Sequence, residues 1–247
     1  SNNFIYRKLY HIEVARMIDY FLVRPGGAAR PRSYLFPSGS GDVKPVIDAL
    51  SADAALRGEP LVMSGVTKES AAALETLFPG RFTFEETRDH FDYIYESEKL
   101  ITLSGKKLHS KRNFINRFQA EHEGGWSFEA ITPENIAECW SMNTRWCEQN
   151  GCGEDPSLME ELCAVRNCFE NFSALGLRGG LLRVDGRVVA YTMGLPLNSD
   201  TFIVHIEKAF SDVAGAYPMI NREFAAHNCA GFKYVNREDD VGDEGLR

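Results

Sequence analysis

Apolar positions in the first half of the chain fall into short runs separated by clusters of turn-forming residues. Residues 4–23 are aromatic and apolar with interspersed charge, and no single period sets their register. Residues 24–32, RPGGAARPR, have the composition of a loop. SYLFP, at 33–37, reads as a short strand. Asp42 is placed to cap a helix running to about Arg57, with Val43, Val46, Ile47 and Leu50 along one side. PLVMSGV predicts a second strand. Thr67 is the expected cap of the next helix, where Glu69 adds an acidic group to the first turn and Leu74, Leu77 and Phe78 keep helical spacing. RFTFEE predicts a strand, and FDYIYESEKLITL a strand pair or extended stretch. Residues 104–122 predict a helix in which Leu108, Phe114, Ile115 and Phe118 recur at helical spacing, ending near Gly124-Gly125.

The second half opens on a strand, WSFEAIT. Thr132 and Pro133 then start a helix that runs to about Asn150, with Gly151 as its stop. Asp155-Pro156 starts another, expected from Ser157 to about Leu175. LLRVDGRVVAYTMGLPL is a hairpin with Asp185-Gly186 as its turn. TFIVHIEKA is a strand whose alternation puts Phe202, Val204 and Ile206 on one face and Ile203, His205 and Glu207 on the other. A helix from about 216 to 230 follows, with Pro218 in its first turn, then a last strand, KYVNRED, and the start of a helix at DEGLR. The period-2 and period-3.6 segments alternate in both halves, so the fold class is α/β with a mixed sheet.

Composition narrows the function classes. The chain has 247 residues, 44% hydrophobic and 25% charged, as soluble domains do. The length suits one large domain or two of roughly 100–150 residues. No apolar run approaches the ~18–20 residues that span a bilayer, and no secretory signal pattern opens the sequence. These features point to a cytoplasmic protein. A formal net charge of −8 argues against nonspecific nucleic-acid binding by the surface as a whole. The six cysteines all lie in the second half, and Cys147/Cys152 and Cys163/Cys168 repeat a C-x4-C spacing. Zinc ligands come in tighter pairs, so buried reduced thiols are the expectation.

Candidate chemistry gathers at the end of TFIVHIEKA. A strand, the small-residue turn Ala214–Gly215–Ala216 and a helix N-terminus together leave backbone N–H groups open to a phosphate. Acyl transfer to an amine needs a base, because an amine of pKa about 10.4 is almost wholly protonated at pH 7. Glu207 fits that role, or an ion pair with a neighbouring cation. Tyr217 fits an acid that returns a proton to a leaving group, or a core residue in line with Ile220 and Phe224. His205 fits a substrate contact or a hydrogen-bonded core histidine; Asn236 and Arg237 fit contacts to a polar substrate, and Arg237 a structural ion pair as well. Glu238, Asp239, Asp240, Asp243 and Glu244 form an acidic run better suited to helix capping than to a metal, and no metal is expected. In SGKKLHSKRNFINRF, residues 104–118, Lys106, Lys107, Lys111, Arg112 and Arg117 stand together without an acid, a match for donor phosphates, for tRNA, or for a solvated face.

FIYRKLY, YLFPSGSGD, SGKKLHSKRNFINRF, HIEKA, GAYPMINREFA and YVNREDDVGDEGLR together resemble the bacterial DUF2156 family. That family is similar to the C-terminal domain of phosphatidylglycerol lysyltransferases and, more distantly, to the Fem peptidoglycan aminoacyltransferases. The resemblance implies two tandem GNAT-like domains: 1–123, including the basic helix 104–122 and incomplete at its start, and 124–247, which holds the active site and is incomplete at its end. It implies an acyl or aminoacyl group moved from acyl-CoA or aminoacyl-tRNA to an amine or hydroxyl acceptor, with a non-catalytic ligand-binding or tRNA-binding protein as the alternative. On this expectation Glu207 and Tyr217 are catalytic, and Lys208, Ala214, Gly215, Ala216, Lys107, Lys111 and Arg112 hold the donor. His205, Asn221, Asn236 and Arg237 meet the acceptor.

Overall fold

The structure, a computed structural model, describes residues 2–26 and 33–239. The chain divides into two compact units, Ser1–Glu86 and Thr87–Arg247. The division falls at 86/87 rather than 123/124, and the basic helix belongs to the second unit.

In the first unit, α1 (Asn2–Ile5) precedes an antiparallel hairpin of β1 (Glu13–Met17) and β2 (Tyr20–Arg24). This resolves the stretch whose register the sequence left open. β3 (Tyr34–Leu35) confirms the SYLFP strand, and β4 (Ser38–Gly39) pairs with β2. α2 (Lys44–Leu56) has Val43 at its N-cap position; Asp42 accepts the Lys44 N–H at 2.9 Å, one residue before the expected capping geometry. β5 (Met63–Ser64) runs parallel to β3. α3 (Lys68–Leu77) is capped by Thr67, whose Oγ1 accepts the Ser70 N–H. The core joins Ile47, Leu50 and Ala54 of α2 to Leu74, Phe78 and Tyr34. We expect Thr67→Ala to lower stability by about 1 kcal/mol, read from the denaturant midpoint, because the orphaned N–H loses its side-chain acceptor.

Residues 81–86 form no strand. Phe82 and Phe84 would share one face of a strand, yet Phe82 packs on the core and Phe84 is exposed, so the expected alternation is not realised. A strand also exists only where a neighbour completes its ladder, and none lies alongside.

The second unit is built on a six-stranded sheet. Its strands are β6 (Ile94–Glu96), β7 (Trp126–Ala130), β8 (Arg178–Val184), β9 (Arg187–Pro196), β10 (Thr201–Ala209) and β11 (Tyr234–Asn236). The order across the sheet is β6-β11-β10-β9-β8-β7, with β10–β11 parallel and every other pair antiparallel. The β8–β9 turn has φ of 47° at Asp185 and 78° at Gly186, the left-handed geometry that Asp-Gly favours in two-residue hairpins.

The helices are α4 (Ser97–Thr102), α5 (His109–Glu121), α6 (Ile136–Gln149), α7 (Pro156–Glu170) and α8 (Ala216–Phe224). α4 replaces the extended stretch expected after β6. Its Leu100 and Ile101 pack against Phe202 and Phe224, so burial on one helical face prevails over the strand-like composition. α6 starts three residues after Pro133. Asn135 closes a turn there, accepting the Thr132 N–H at 2.8 Å and donating to the Ala130 carbonyl at 2.9 Å. α7 is capped by Asp155, whose Oδ1 accepts the Ser157 and Leu158 N–H groups, and it ends about five residues earlier than expected. α8 continues into a π turn, Ala225–Cys229. The helix expected at DEGLR lies outside the described residues, as do Asp240, Asp243 and Glu244.

Cys147 and Cys152 form a disulfide, contrary to the expectation of reduced thiols for that pair. Cys147 lies in the last turn of α6, and Gly151, at φ 70°, turns the chain back so that Cys152 meets it. For Cys139, Cys168 and Cys229 the expectation holds: all three are buried free thiols, and burial pushes each pKa up to about 12. Cys163 is free and exposed.

Candidate functional site

β10 contains an irregularity that decides the site. Val204 pairs with Gly194 and Ile206 with Met193, so His205 is an extra residue in a β-bulge. One extra residue reverses the alternation beyond it. Glu207 therefore shares a face with Phe202 and Val204, not with Ile203 and His205 as uninterrupted alternation required. Contacts agree: Phe202 and Val204 pack with Phe224 at the end of α8, and Glu207 accepts from Asn221 on the same helix. Lys208, the next residue, points to the opposite face, where its Nζ sits 2.7 Å from Glu161 on α7 and 3.8 Å from the centre of the Trp146 ring.

The Glu207 carboxylate is held at both oxygens. Oε1 accepts from Arg237 at 2.7 Å, and Oε2 from Asn221 Nδ2 at 3.1 Å. Its side chain is 9% exposed and that of Arg237 27% exposed, so the pair is only partly screened by water. Lys111 of α5 joins this field. The residue is exposed, yet desolvation lowers its pKa, Arg237 lowers it further, and Glu207 opposes both.

Beside this cluster lies a pocket of about 380 Å³. Its floor and walls include Phe114 from α5, Phe210, and the turn through Ala214, Gly215, Ala216 and Tyr217. Gly215 takes a φ of 85° at the N-cap of α8, and a Cβ there would stand 2.5 Å from the Phe114 carbonyl oxygen. Glycine is thus required both by the backbone and by the close approach of α5. Tyr217 is partly exposed. Its pKa is raised, first by desolvation and also by Glu207 and Glu161, against the lowering effect of the Ala209 backbone and the Trp146 side chain.

The remaining sequence-derived candidates separate. Arg112 is not free: its Nη1 donates to the carbonyls of Leu103 and Gly105, pinning the turn before α5. Lys107 is exposed in a short turn, Lys106–Leu108, and Arg117 pairs with Glu121. His205 is buried, with Nδ1 2.9 Å from Glu238. Asn236 is buried as well, donating to Asp92 at 2.6 Å and accepting the Glu238 N–H at 2.7 Å. Asp239 pairs with His90 at 3.2 Å. Among the described residues, no three His, Cys, Asp or Glu side chains converge as a metal site would require.

The sequence reading did not single out Phe114, Phe210, Trp146, Glu161 or Asp92 for the site. Phe114 left one trace, its helical spacing to Phe118 on α5. Trp146, Glu161 and Asp92 carried no local signal, because their partners lie 47 to 144 residues away.

The whole chain, residues 1–247, matches the family model described as phosphatidylglycerol lysyltransferase, C-terminal. A conserved protein of unknown function from Bacteroides thetaiotaomicron is similar in structure, with a TM-score of 0.93 and 41% identity over 98% of this chain and 81% of that one. L-PGS from Bacillus licheniformis is similar with a TM-score of 0.61 and 15% identity over 92% of this chain and 67% of that one, which shows a shared fold. An uncharacterized protein from Mycoplasmoides gallisepticum is 24% identical over 155 residues, 61% of this chain and 48% of that protein. The chain thus spans about half the length of the curated relative it matches. No helix among the described residues is long and apolar enough to cross a membrane.

Proposed function

Because the chain belongs to the phosphatidylglycerol lysyltransferase C-terminal family, we propose that it is a GNAT-type transferase moving an acyl or aminoacyl group from acyl-CoA or aminoacyl-tRNA to an amine or hydroxyl acceptor. The observation that carries the reading is the meeting of Glu207, Asn221, Arg237 and Lys111 beside the apolar pocket at the start of α8.

In the proposed step the acceptor nitrogen or oxygen attacks the acyl carbonyl, and Glu207 takes its proton. The longer Asn221 contact is the one that gives way for the acceptor. As the bond from the acyl carbon to the leaving oxygen or sulfur breaks, Tyr217 supplies the proton. Its raised pKa keeps the hydroxyl protonated at neutral pH. Arg237 stays on Glu207 and sets its orientation. The backbone of 214–216 and the exposed cations Lys107 and Lys111 receive the donor phosphate; Arg112 builds their platform instead of binding. Lys208, on the far face, takes no part in donor binding.

The bulged strand leading into α8 supports a GNAT-type reading of the second unit. For the first unit that reading rests on the resemblance in sequence. The family's description names a lysyl group and phosphatidylglycerol, in keeping with a hydroxyl acceptor.

The test is a thermal shift with acetyl-CoA and, separately, with aminoacyl-tRNA, followed by a transfer assay with whichever binds. A ligand at ~100 times its dissociation constant adds about 2.7 kcal/mol, roughly 5–10 °C for a chain of this size. Lys111→Glu should remove that shift. No shift with either donor overturns the reading; a shift without transfer to any amine or hydroxyl leaves a binding protein.

A further inference from the structure

We propose that His205 is a positioning residue: through Glu238 it holds Arg237 on the Glu207 carboxylate. The importance of that hold for transfer rests on the reading of Glu207 as the base.

β10 and β11 run parallel from Thr201↔Tyr234 to Ile203↔Asn236, the last pair in register among the described residues. The bulge at His205 comes next, and there side chains join the two segments. His205 Nδ1 lies 2.9 Å from Glu238 Oε1, and Arg237 Nη2 lies 2.7 Å from Glu207 Oε1. These two bridges cross. His205, the earlier residue on β10, meets Glu238, the later of its pair; Glu207 meets Arg237, the earlier. Parallel strands that continued side by side would pair in order. The crossing therefore needs the chain to turn after Arg237.

Glu238 makes that turn. Its φ is 60°, an uncommon geometry for a side chain that is neither Asn nor Asp. Such a conformation persists where the surroundings over-determine it. The Glu238 N–H donates to Asn236 Oδ1 at 2.7 Å, and its carbonyl accepts the Tyr93 N–H at 2.9 Å. The Arg237 N–H donates to the Tyr93 carbonyl at 2.9 Å, which fixes the backbone just before the turn. His205 then fixes the Glu238 side chain. A carboxylate only accepts, so the hydrogen is on Nδ1. The His205 side chain is 2% and that of Glu238 23% exposed, so water competes little for this bond. The extra residue in β10 thus acts twice. It moves Glu207 to the α8 face, and it supplies the imidazole that anchors the turn beside Arg237. An apolar residue inserted there would do the first and not the second.

The experiment reads Arg237 directly. In protein labelled with a heavy nitrogen isotope, the guanidinium N–H signal of Arg237, identified by its loss in Arg237→Lys, reports the ion pair through its exchange with water. His205→Leu keeps bulk and removes the donor. Glu238→Gly suits the left-handed turn and removes the side chain, so it tests the same tie without leaving a carboxylate unpaired. In both variants exchange at Arg237 is expected to quicken roughly tenfold or more. Single-turnover transfer is expected to slow by roughly tenfold or more, while donor binding, read by thermal shift, stays. His205→Asn, whose Nδ2–H stands in for the imidazole Nδ1–H, is expected to restore both. Slow wild-type exchange that neither variant changes overturns the proposal. So does a wild-type signal that exchanges as freely as an unpaired arginine, and so does His205→Asn failing to restore what His205→Leu lost. Faster exchange with unchanged transfer upholds the hold of His205 on Arg237 and overturns Glu207 as the base. The exchange readout needs no transfer, so it tests the hold even in a chain that transfers nothing.

Discussion

Glu207→Gln is expected to cut acyl transfer by roughly 10²–10⁴-fold, the range of a lost general base. The substitution keeps the size and shape of the side chain but removes the proton acceptor. It also disturbs the hydrogen bonds. Both Glu207 oxygens receive N–H donors, from Arg237 and from Asn221. A Gln can accept with one atom only, and its amide nitrogen must face one of those donors. Some loss of stability therefore accompanies the loss of rate, and the two must be measured side by side. Single-turnover transfer at saturating donor reads the chemistry, and a denaturant midpoint reads the fold. Arg237→Lys serves as the control, because it weakens the same ion pair while leaving the carboxylate in place. If Glu207→Gln and Arg237→Lys lose rate equally, Glu207 is an anchor for Arg237 and not the base.

Gly215→Ala is expected to destabilise the second unit by about 3 kcal/mol. Two costs combine. A non-glycine residue at φ 85° is strained, and its Cβ would meet the Phe114 carbonyl at 2.5 Å and the Phe118 Cβ at 3.0 Å. Both contacts are on α5, so relief requires α5 to move away from α8. That movement shifts Phe114, a wall of the pocket, and Lys111 one turn before it. The melting temperature should fall by roughly 6–12 °C, and donor binding should weaken in parallel. A loss below about 1 kcal/mol would mean that α5 adjusts freely and that the pocket wall is soft.

The elements around the candidate site were legible because their signals are local. The end of TFIVHIEKA, the small-residue turn and Pro218 stand next to one another in sequence, and each acts through its own backbone. The same holds for Thr67 on α3, for Asp155-Pro156 on α7 and for the Asp185-Gly186 turn, where one or two residues satisfy nearby backbone groups. Helical spacing also identified the buried stripes of α2 and α5, because 3.6-residue periodicity is a property of a single segment.

What depended on distant partners was not legible. The bulge at His205 arises where β9 and β10 fall out of step, and it moves Glu207 to the α8 face. Asn236 looked free to meet substrate, but Asp92, 144 residues away, takes its amide. Arg112 looked like a phosphate ligand until the fold of its own turn claimed it. RFTFEE has the pattern of a strand and lacks a neighbour, and the Cys147–Cys152 bridge needs the chain reversal after α6. By itself the sequence determined the periods, caps and turns, and through them the order of most elements and the neighbourhood of the site. The tertiary structure alone decided which side chains are spent on one another and which remain open, because hydrogen bonds and ion pairs are settled by proximity in space, and spacing along the chain does not encode it.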